Sequence, residues 1–523
     1  MEDGSDAGKR LPVPVTAYGP LQLLAARVHR LASTGRSPEA LIAADAYLAI
    51  ARAVGDEKSV SFLIQAKMYA YLDMGRVPEA TRLGERLLAT HQATGKVLEE
   101  AKTLCDLAQM HVLRGRYVDG MHDLARAGVL LDAGPAGTDR HRSAMCSFAE
   151  TATVAEMYET AAAAYERLCA FDQPGRATSF DIVYATTLLY WGLRLAHVSR
   201  GSEATVRLRR SAAITRRWLD RTGNDPCVLA AHALALAKLG DVVVAEKLAR
   251  DVILPLRAGK SHQHARMAHL ALGISRREQG DLLESRRELV AARELCGYGP
   301  HPAEAQIIRY EMAVTALELD GSQSSRDLFE AVEGQVRELW LLRQQRLSML
   351  RQARQREEAE TARARAEREI LRDPLTGLGN RRRFDELLSG VDDGRLPRPL
   401  VLLLVDLDHF KAVNDAYSHS AGDRALREVA AILRAHCGTE DEAVRYAGDE
   451  FVLFLHGDAG TGREMAERIR SAVARADILA GVRLTVSVGM AALTDGMTGD
   501  MLFRVADERL YAAKWSGRNT IAA

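Results

Sequence analysis

Residues 35–40 read G-R-S-P-E-A and residues 75–80 read G-R-V-P-E-A, a near copy displaced by 40 positions. A repeat of that period constrains the fold strongly, because each unit can bury its apolar face only against its neighbours in a stack. The same phase runs through Gly115, Ala155, Gly240, Gly280 and Asp320 with Gly321, slips near Gly201, and marks out about eight units. Five residues beyond the turn stands a small side chain in most of them: Ala40, Ala80, Gly120, Thr160, Ala245 and Ser285. That size limit is expected where two antiparallel helices cross closely. Between turns the chain is rich in Ala, Leu, Arg and Glu and poor in β-branched runs, so the periods are helical. The expected architecture is an all-α helical-repeat solenoid over 19–325, preceded by a disordered tail over 1–18 whose opening is acidic and lacks the apolar core of a signal peptide.

The spacing Tyr71-x3-Gly75-x4-Ala80 resembles a tetratricopeptide unit, although 40 residues exceeds that family's usual period and HEAT-like helical pairs compete with it. The resemblance implies a sensor or interaction surface for an unknown protein or peptide partner; a stack that merely spaces or dimerises the rest is the plainer alternative. No residue of this region points to catalysis. The 70 basic and 70 acidic residues cancel, which leaves no global field to draw nucleic acid or an anionic membrane. The longest apolar stretch, Leu400 to Val405, is far short of the ~20 residues a spanning helix needs. Six cysteines with no C-x-x-C spacing fit reduced thiols of a cytoplasmic protein.

From Leu328 to Leu371 there is no proline and one glycine, Gly334. This predicts a long helical connector over 326–372. Val332, Val336, Leu339, Leu342, Leu347 and Leu350 recur at mixed steps of three to five, and Ala359, Ala362 and Ala366 mark a thin stripe in a charge-dense second half. Two readings stand: a parallel coiled coil, or a single helix held by Glu/Arg pairs four residues apart.

Beyond 373 the period changes. β-type runs at 399–405, 443–446, 451–455 and 483–488 alternate with helical stretches, so 373–523 is expected to be an α/β domain. The run Leu400 to Val405 suits a strand buried on both faces that delivers D-L-D at a sheet edge, where open α/β sheets place ligands. R-Y-A-G-D-E-F (445–451) joins two strands and can set Asp449 and Glu450 beside Asp406. Three converging carboxylates repel one another unless a cation compensates, and a hard divalent ion bridging the phosphates of a nucleoside triphosphate does so.

Six blocks in order, D-P-L-T-G-L-G-N-R-R-R-F (373–384), D-L-D-H-F-K-A-V-N-D (406–415), H-S-A-G-D (419–423), R-Y-A-G-D-E-F, V-S-V-G (486–489) and K-W-S-G-R-N (514–519), resemble the GGDEF diguanylate cyclases. The resemblance implies condensation of two GTP into cyclic di-GMP and two pyrophosphates by a homodimer, with Mg2+ or Mn2+ in a two-metal phosphoryl-transfer site. Carried over by position, it gives Asp406, the Leu407 carbonyl and Asp449 as metal ligands, Glu450 completing the acidic site, and Asp449 as acceptor of the 3'-hydroxyl proton. Asn414 and Asp423 would read the guanine edge, with His419 nearby and Leu426 against the base. The amides of His409 and Phe410, with Lys411, Lys514 and Arg518, would contact phosphate. Two departures stand out. Ala447 replaces the family's usual glycine, which costs little at negative φ and ~1 to 2 kcal/mol at positive φ. The family's R-x-x-D product-inhibition motif falls on Gly438 to Asp441, where the arginine is missing. The rival reading is a catalytically weak GTP-binding module on a tetratricopeptide-like adaptor; a related cyclase making a mixed dinucleotide is disfavoured by Asp423.

Overall fold

The computed structural model describes residues 15–16, 19–33, 36–170, 179–259, 261–297, 302–479 and 482–523. Most of the expected tail, 1–14 with 17 and 18, lies outside these, as does the turn residue Gly35. Two compact units result, 1–359 and 360–523.

Among its described residues the first unit has a two-residue strand pair, β1 (Val15–Thr16) and β2 (Gly19–Pro20), and its other regular elements are helices. Helices Ser37–Ala53, Glu57–Asp73, Val77–Ala93, Val97–Leu113 and Tyr117–Ala133 are each 17 residues long. The links between them turn on Gly55, Gly75, Gly95 and Gly115 at φ of 64 to 74°. The left-handed conformation those turns require is nearly free only for glycine. Five residues beyond alternate turns stands the small residue of a helix crossing: Ala80, Ala245 and Ser285 are fully buried. A Cβ on Gly120 would lie 3.0 Å from Val112.

At the fourth turn the phase is one residue later than the sequence suggests. Glu156, not Ala155, takes positive φ, at 59°, and Ala161 rather than Thr160 is the fully buried crossing residue. The slip near Gly201 resolves in the same way, with Ser199 at φ 61° and Ala204 buried five residues on. The spacing from turn to crossing is therefore the invariant, and glycine is only its commonest marker. Glu156 tolerates its conformation because its neighbours hold it: Arg194 pairs with its carboxylate at 3.2 Å and Arg343 donates to its carbonyl at 2.6 Å.

A single helix, Gln323–Ile370, covers most of the predicted connector. Its first half packs on the repeats. Val336, Trp340 and Leu350 are buried, Arg354 pairs with Asp132 at 2.5 Å, and Glu357 meets His122 at 3.3 Å. Leu341, Leu342 and Met349 stay exposed, as do Ala359, Ala362 and Ala366. No described helix is long and apolar enough to cross a membrane, and all six cysteines are free.

In the second unit β3 (Leu400–Leu407), β4 (Glu442–Ala447), β5 (Glu450–His456), β6 (Val486–Ala492) and β7 (Ile521–Ala522) form one sheet in the order β4-β5-β3-β6-β7. Alternation along β3 explains its unbroken apolar run. Val401, Leu403, Val405 and Leu407 enter one core with helices His419–His436 and Ala459–Arg475. Leu400, Leu402 and Leu404 enter the other with helices Arg381–Asp392 and Gly499–Trp515. Successive side chains of a strand point to opposite faces, so a strand covered on both must be apolar throughout.

In this sheet β3 is antiparallel to both β5 and β6, and only β6 and β7 run parallel. Two expectations change. Asp406 consequently lies near the end of the central strand rather than at a sheet edge, opposite Glu450 on one side and Ser487 on the other. The run expected at 483–488 begins as a strand only at Val486. Thr485 is diverted to the Asp408 carboxylate, and Val482 bonds back to Leu479.

Candidate active site

The acidic site is built by strand register. Asp406 and Glu450 are direct partners across β3 and β5, and the amide of Leu407 donates to the carbonyl of Asp449 at 3.3 Å. The hairpin tip that carries Asp449 is shaped by Gly448, the left-handed residue at φ 47°. Ala447 ends β4 in register with Glu450 and is not among the residues at positive φ. Alanine therefore adds no backbone strain there. The tip is braced from behind: Arg445 donates to the Gly448 carbonyl at 2.8 and 2.9 Å and to both carboxylate oxygens of Asp373 at 3.3 Å. Asp373 in turn caps its own turn through Thr376.

Opposite the acids stands Lys514, its Nζ 2.6 Å from Asp406 Oδ2. Its reach depends on how closely helix Gly499–Trp515 lies on β6. A Cβ on Gly489 would come within 2.1 Å of the Ala506 carbonyl oxygen, so the last residue of V-S-V-G must be glycine for the helix to sit there. Burial pushes the carboxyl of Asp406 above the usual range against the pull of Lys514, and Asp449 and Asp408 add to it. Burial and then the Asp406 charge raise Glu450 in the same direction. Two acids that resist ionising beside each other, in an all-oxygen set, suit a hard divalent cation. Among the described residues no three acidic, histidine or cysteine side chains are grouped as a metal cage, so the expected convergence of Asp406, Asp449 and Glu450 stops short of one, and Asp406 is paired with Lys514 instead.

Immediately after β3 the chain turns through His409, in left-handed conformation at φ 60°, into the short helix Phe410–Ala416. The turn is fixed by Asp408, only 4% exposed, whose carboxylate accepts from Ser487 Oγ at 2.6 Å, Thr485 Oγ1 at 2.7 Å and the Asn519 amide at 3.0 Å. One buried acid thus ties the D-L-D turn to V-S-V-G and to K-W-S-G-R-N. Asn414, on the short helix, faces the first turns of helix His419–His436 so closely that a Cβ on Gly422 would lie 2.0 Å from its Oδ1. Asp423 follows Gly422 and is exposed, as are His419, Lys411 and Arg518, the last at φ 62°. Leu426 is 3% exposed and belongs to the core beneath this corner.

The structure therefore gathers Asp406, Leu407, Asp449, Glu450 and Lys514 in one group, and Asn414 and Asp423 at a second corner reached through His409, Phe410 and Lys411. Asp408, Asp373, Arg445, Gly422 and Gly489 carry positioning roles that motif spacing left unassigned. The signal for Asp408 was available in the hydroxyl-bearing Thr485 and Ser487 of a run otherwise expected to be apolar.

An α/β domain with acids opposed across a central strand pair, a lysine over them and a polar corner beyond offers the kinds of group that bind a cation and phosphate oxygens. Residues 370–520 match the family model of the diguanylate cyclase GGDEF domain. The segment is similar to diguanylate cyclase DgcS of Shewanella oneidensis, 37% identical over 149 residues that make up 28% of this chain and 50% of that protein. It is 38% identical over 157 residues to diguanylate cyclase DgcM of Escherichia coli K12, covering 29% of this chain and 38% of the relative. The chain thus spans about half or less of the length of these relatives. Among solved structures, the coiled coil and GGDEF domain of DgcB from Caulobacter crescentus in complex with c-di-GMP shares 31% identity over 33% of this chain and 97% of that one, at a TM-score of 0.30. The carboxy-terminal unit is a GGDEF domain that follows a helical-repeat region.

Proposed function

We propose that the chain is a diguanylate cyclase, condensing two GTP to cyclic di-GMP and two pyrophosphates under the control of its helical repeats, in the cytoplasm. The observation that carries this reading is the Asp406 and Glu450 pair, set in register at the end of the central strands and met by Lys514 at 2.6 Å. Asp406, the Leu407 carbonyl, Asp449 and Glu450 are the groups that would hold Mg2+ or Mn2+, which when bound polarises the α-phosphate and offsets charge on the leaving pyrophosphate. Lys411, Lys514 and Arg518, with the amides of His409 and Phe410, hold phosphate oxygens by charge and hydrogen bonding. Lys514 donates to Asp406 at 2.6 Å, and its ammonium is the charge that would offset the negative charge developing beside that carboxylate.

Asn414 and Asp423 read the purine. An aspartate accepts the N–H donors of guanine and leaves adenine unmatched, which discriminates through an unpaired buried polar group. Asp449 takes the proton of the 3'-hydroxyl as that oxygen bonds to the α-phosphorus of the other GTP and the bond to pyrophosphate breaks. Each domain presents one GTP, so two copies must face each other with two-fold symmetry for both bonds to close. Control then reduces to how the copies are brought together, which gives helix Gln323–Ile370 its place between a repeat array and a half-site enzyme. Purified chain incubated with Mg2+ and GTP, ATP or both, with products identified by mass, tests this reading: cyclic di-GMP is expected from GTP alone, and no dinucleotide from any mixture would leave a GTP-binding adaptor.

A further inference from the structure

Helix Pro302–Asp320 carries Glu304, Ile307, Ile308 and Glu311, spaced at i, i+3, i+4 and i+7 along one face. All four are buried, Glu311 completely. The face is not simply stacked on its neighbour in the repeat order. Glu304 accepts from Tyr190 and Gln263 and pairs with Arg266 at 2.5 Å. Glu311 accepts from His197 at 2.9 Å and Lys238 at 2.8 Å, and pairs with Arg277 at 2.8 Å. Tyr190 and His197 stand seven residues apart on helix Ser179–His197, matching the seven between Glu304 and Glu311, so these two helices run parallel. Lys238 comes from helix Pro226–Leu239, and Gln263, Arg266 and Arg277 from helix His262–Glu278. In a repeat stack an element touches its immediate neighbours. This one reaches back across three inner helices and lays an acid, apolar, apolar, acid face into a groove that they line with donors.

The chemistry of that contact sets its strength. A buried ion pair gains geometry and loses desolvation, so its net stabilisation is small compared with apolar packing of the same area. Two polar atoms of helix Ser179–His197 beside it make no hydrogen bond among the described residues, His197 Nδ1 and Arg194 Nη1. Such an arrangement is demanding about what fits and modest in how hard it holds, which are the properties of an exchangeable seat.

We propose that the groove formed by Tyr190, His197, Lys238, Gln263, Arg266 and Arg277 is a receptor for an acidic helix of a partner protein, one presenting two carboxylates two turns apart with an apolar pair between them. Helix Pro302–Asp320 is the internal competitor for that seat. Exchange is transmitted along the chain, because only Gly321, at φ 54°, and Ser322 separate this helix from helix Gln323–Ile370. The consequence for GTP turnover rests on the cyclase reading; the binding site does not.

The test uses a fluorescent peptide with the sequence of residues 302–320 as the acidic helix and the full chain as receptor, read by anisotropy without nucleotide. Wild type, its seat filled, should bind weakly, and a Glu304→Gln, Glu311→Gln chain should bind the peptide at least about tenfold more tightly, since a competing occupant lowers apparent affinity by the fraction of time the seat is free. The same peptide with both glutamates changed to glutamine should bind neither chain, and Lys238→Ala in the double variant should weaken binding. Hydrogen exchange on wild type keeps the idea testable should the variant misfold. Excess isotope-labelled peptide should speed exchange in 302–320 while 226–239 and 262–278 stay protected. No saturable binding to either folded chain, or exchange in 302–320 indifferent to the peptide, would overturn the proposal.

Discussion

Gly422→Ala offers a sharp test of the nucleotide corner, because the added methyl has a known collision. The new Cβ would stand 2.0 Å from Asn414 Oδ1 and 3.1 Å from Phe410 Cζ, where ordinary contact needs about 3.5 Å. The obstructing atoms are side-chain tips rather than backbone, so the helices stay and Asn414 swings away by about 1.5 Å. Alanine is at least as good as glycine inside helix His419–His436, which protects the fold further. On the proposed reading, in which Asn414 holds the purine, the displaced amide gives up one or two hydrogen bonds to the base, at about 1 kcal/mol each, and misplaces it. Together these lower kcat/KM for GTP about 10- to 100-fold, mostly through KM. Steady-state turnover and GTP titration calorimetry, with circular dichroism to confirm the fold, measure this. A folded variant whose KM stays within about twofold of wild type would refute the idea that Gly422 exists to seat Asn414.

Three further outcomes follow from the same geometry. Asp449→Ala, at the hairpin tip and outside both cores, should fold normally and retain less than about one tenth of the turnover, as the loss of a ligand to a catalytic cation requires; retention above that level contradicts the metal role. Micromolar cyclic di-GMP should leave the initial rate at saturating GTP unchanged, because Gly438 offers no guanidinium and Asp441 is spent on the Gly438 amide at 2.8 Å and the His456 amide at 2.9 Å; strong non-competitive inhibition would show that other residues rebuild the site. The helical repeats should lose stability on acidification. Burial holds His197 down to about 4 from 6.5, and Glu311, which burial alone would raise, is held well below the carboxylate range by Lys238, His197 and Arg277. Both groups are depressed in the folded state, so the unfolded chain takes up the protons, and stability present above pH 6.5 falls as pH drops toward 4. At about 1.4 kcal/mol per pH unit, His197 alone accounts for about 3 kcal/mol. Urea midpoints from pH 7 to pH 4 should shift less in a His197→Gln chain than in wild type, and equal shifts would contradict this origin.

What the sequence made legible divides by the range of the interactions involved. The turn-to-crossing spacing of the repeats, the doubly buried strand Leu400–Leu407 and the hairpin around Asp449 are local patterns, and local patterns survive in a single chain of letters. The phase shift at Glu156 escaped because a non-glycine residue took the left-handed position with help from Arg194 and Arg343, partners 38 and 187 residues away. Strand β6 begins three residues later than its β-prone run for a similar reason, since Asp408 captures Thr485 from 77 residues away. The first half of helix Gln323–Ile370 reads as a free connector until Trp340, Arg343 and Leu350 are seen buried against the repeats. Glu304 and Glu311 look like solvated charges of an ordinary helix; only the fold-back brings Arg266, Lys238 and Arg277 to them. Ala447 shows the reverse case. The sequence raised a doubt that turned on one backbone angle, and Gly448 rather than Ala447 adopts the conformation in question.

The measurement that bears most directly on the account is the identity of the product. Wild-type chain, with Mg2+ and GTP as the only nucleotide, should yield cyclic di-GMP and pyrophosphate in a ratio of about one to two by mass spectrometry and phosphate assay, since each of the two bonds formed releases one pyrophosphate. GTP bound stoichiometrically and recovered unchanged, from a folded chain at concentrations where it self-associates, would contradict it.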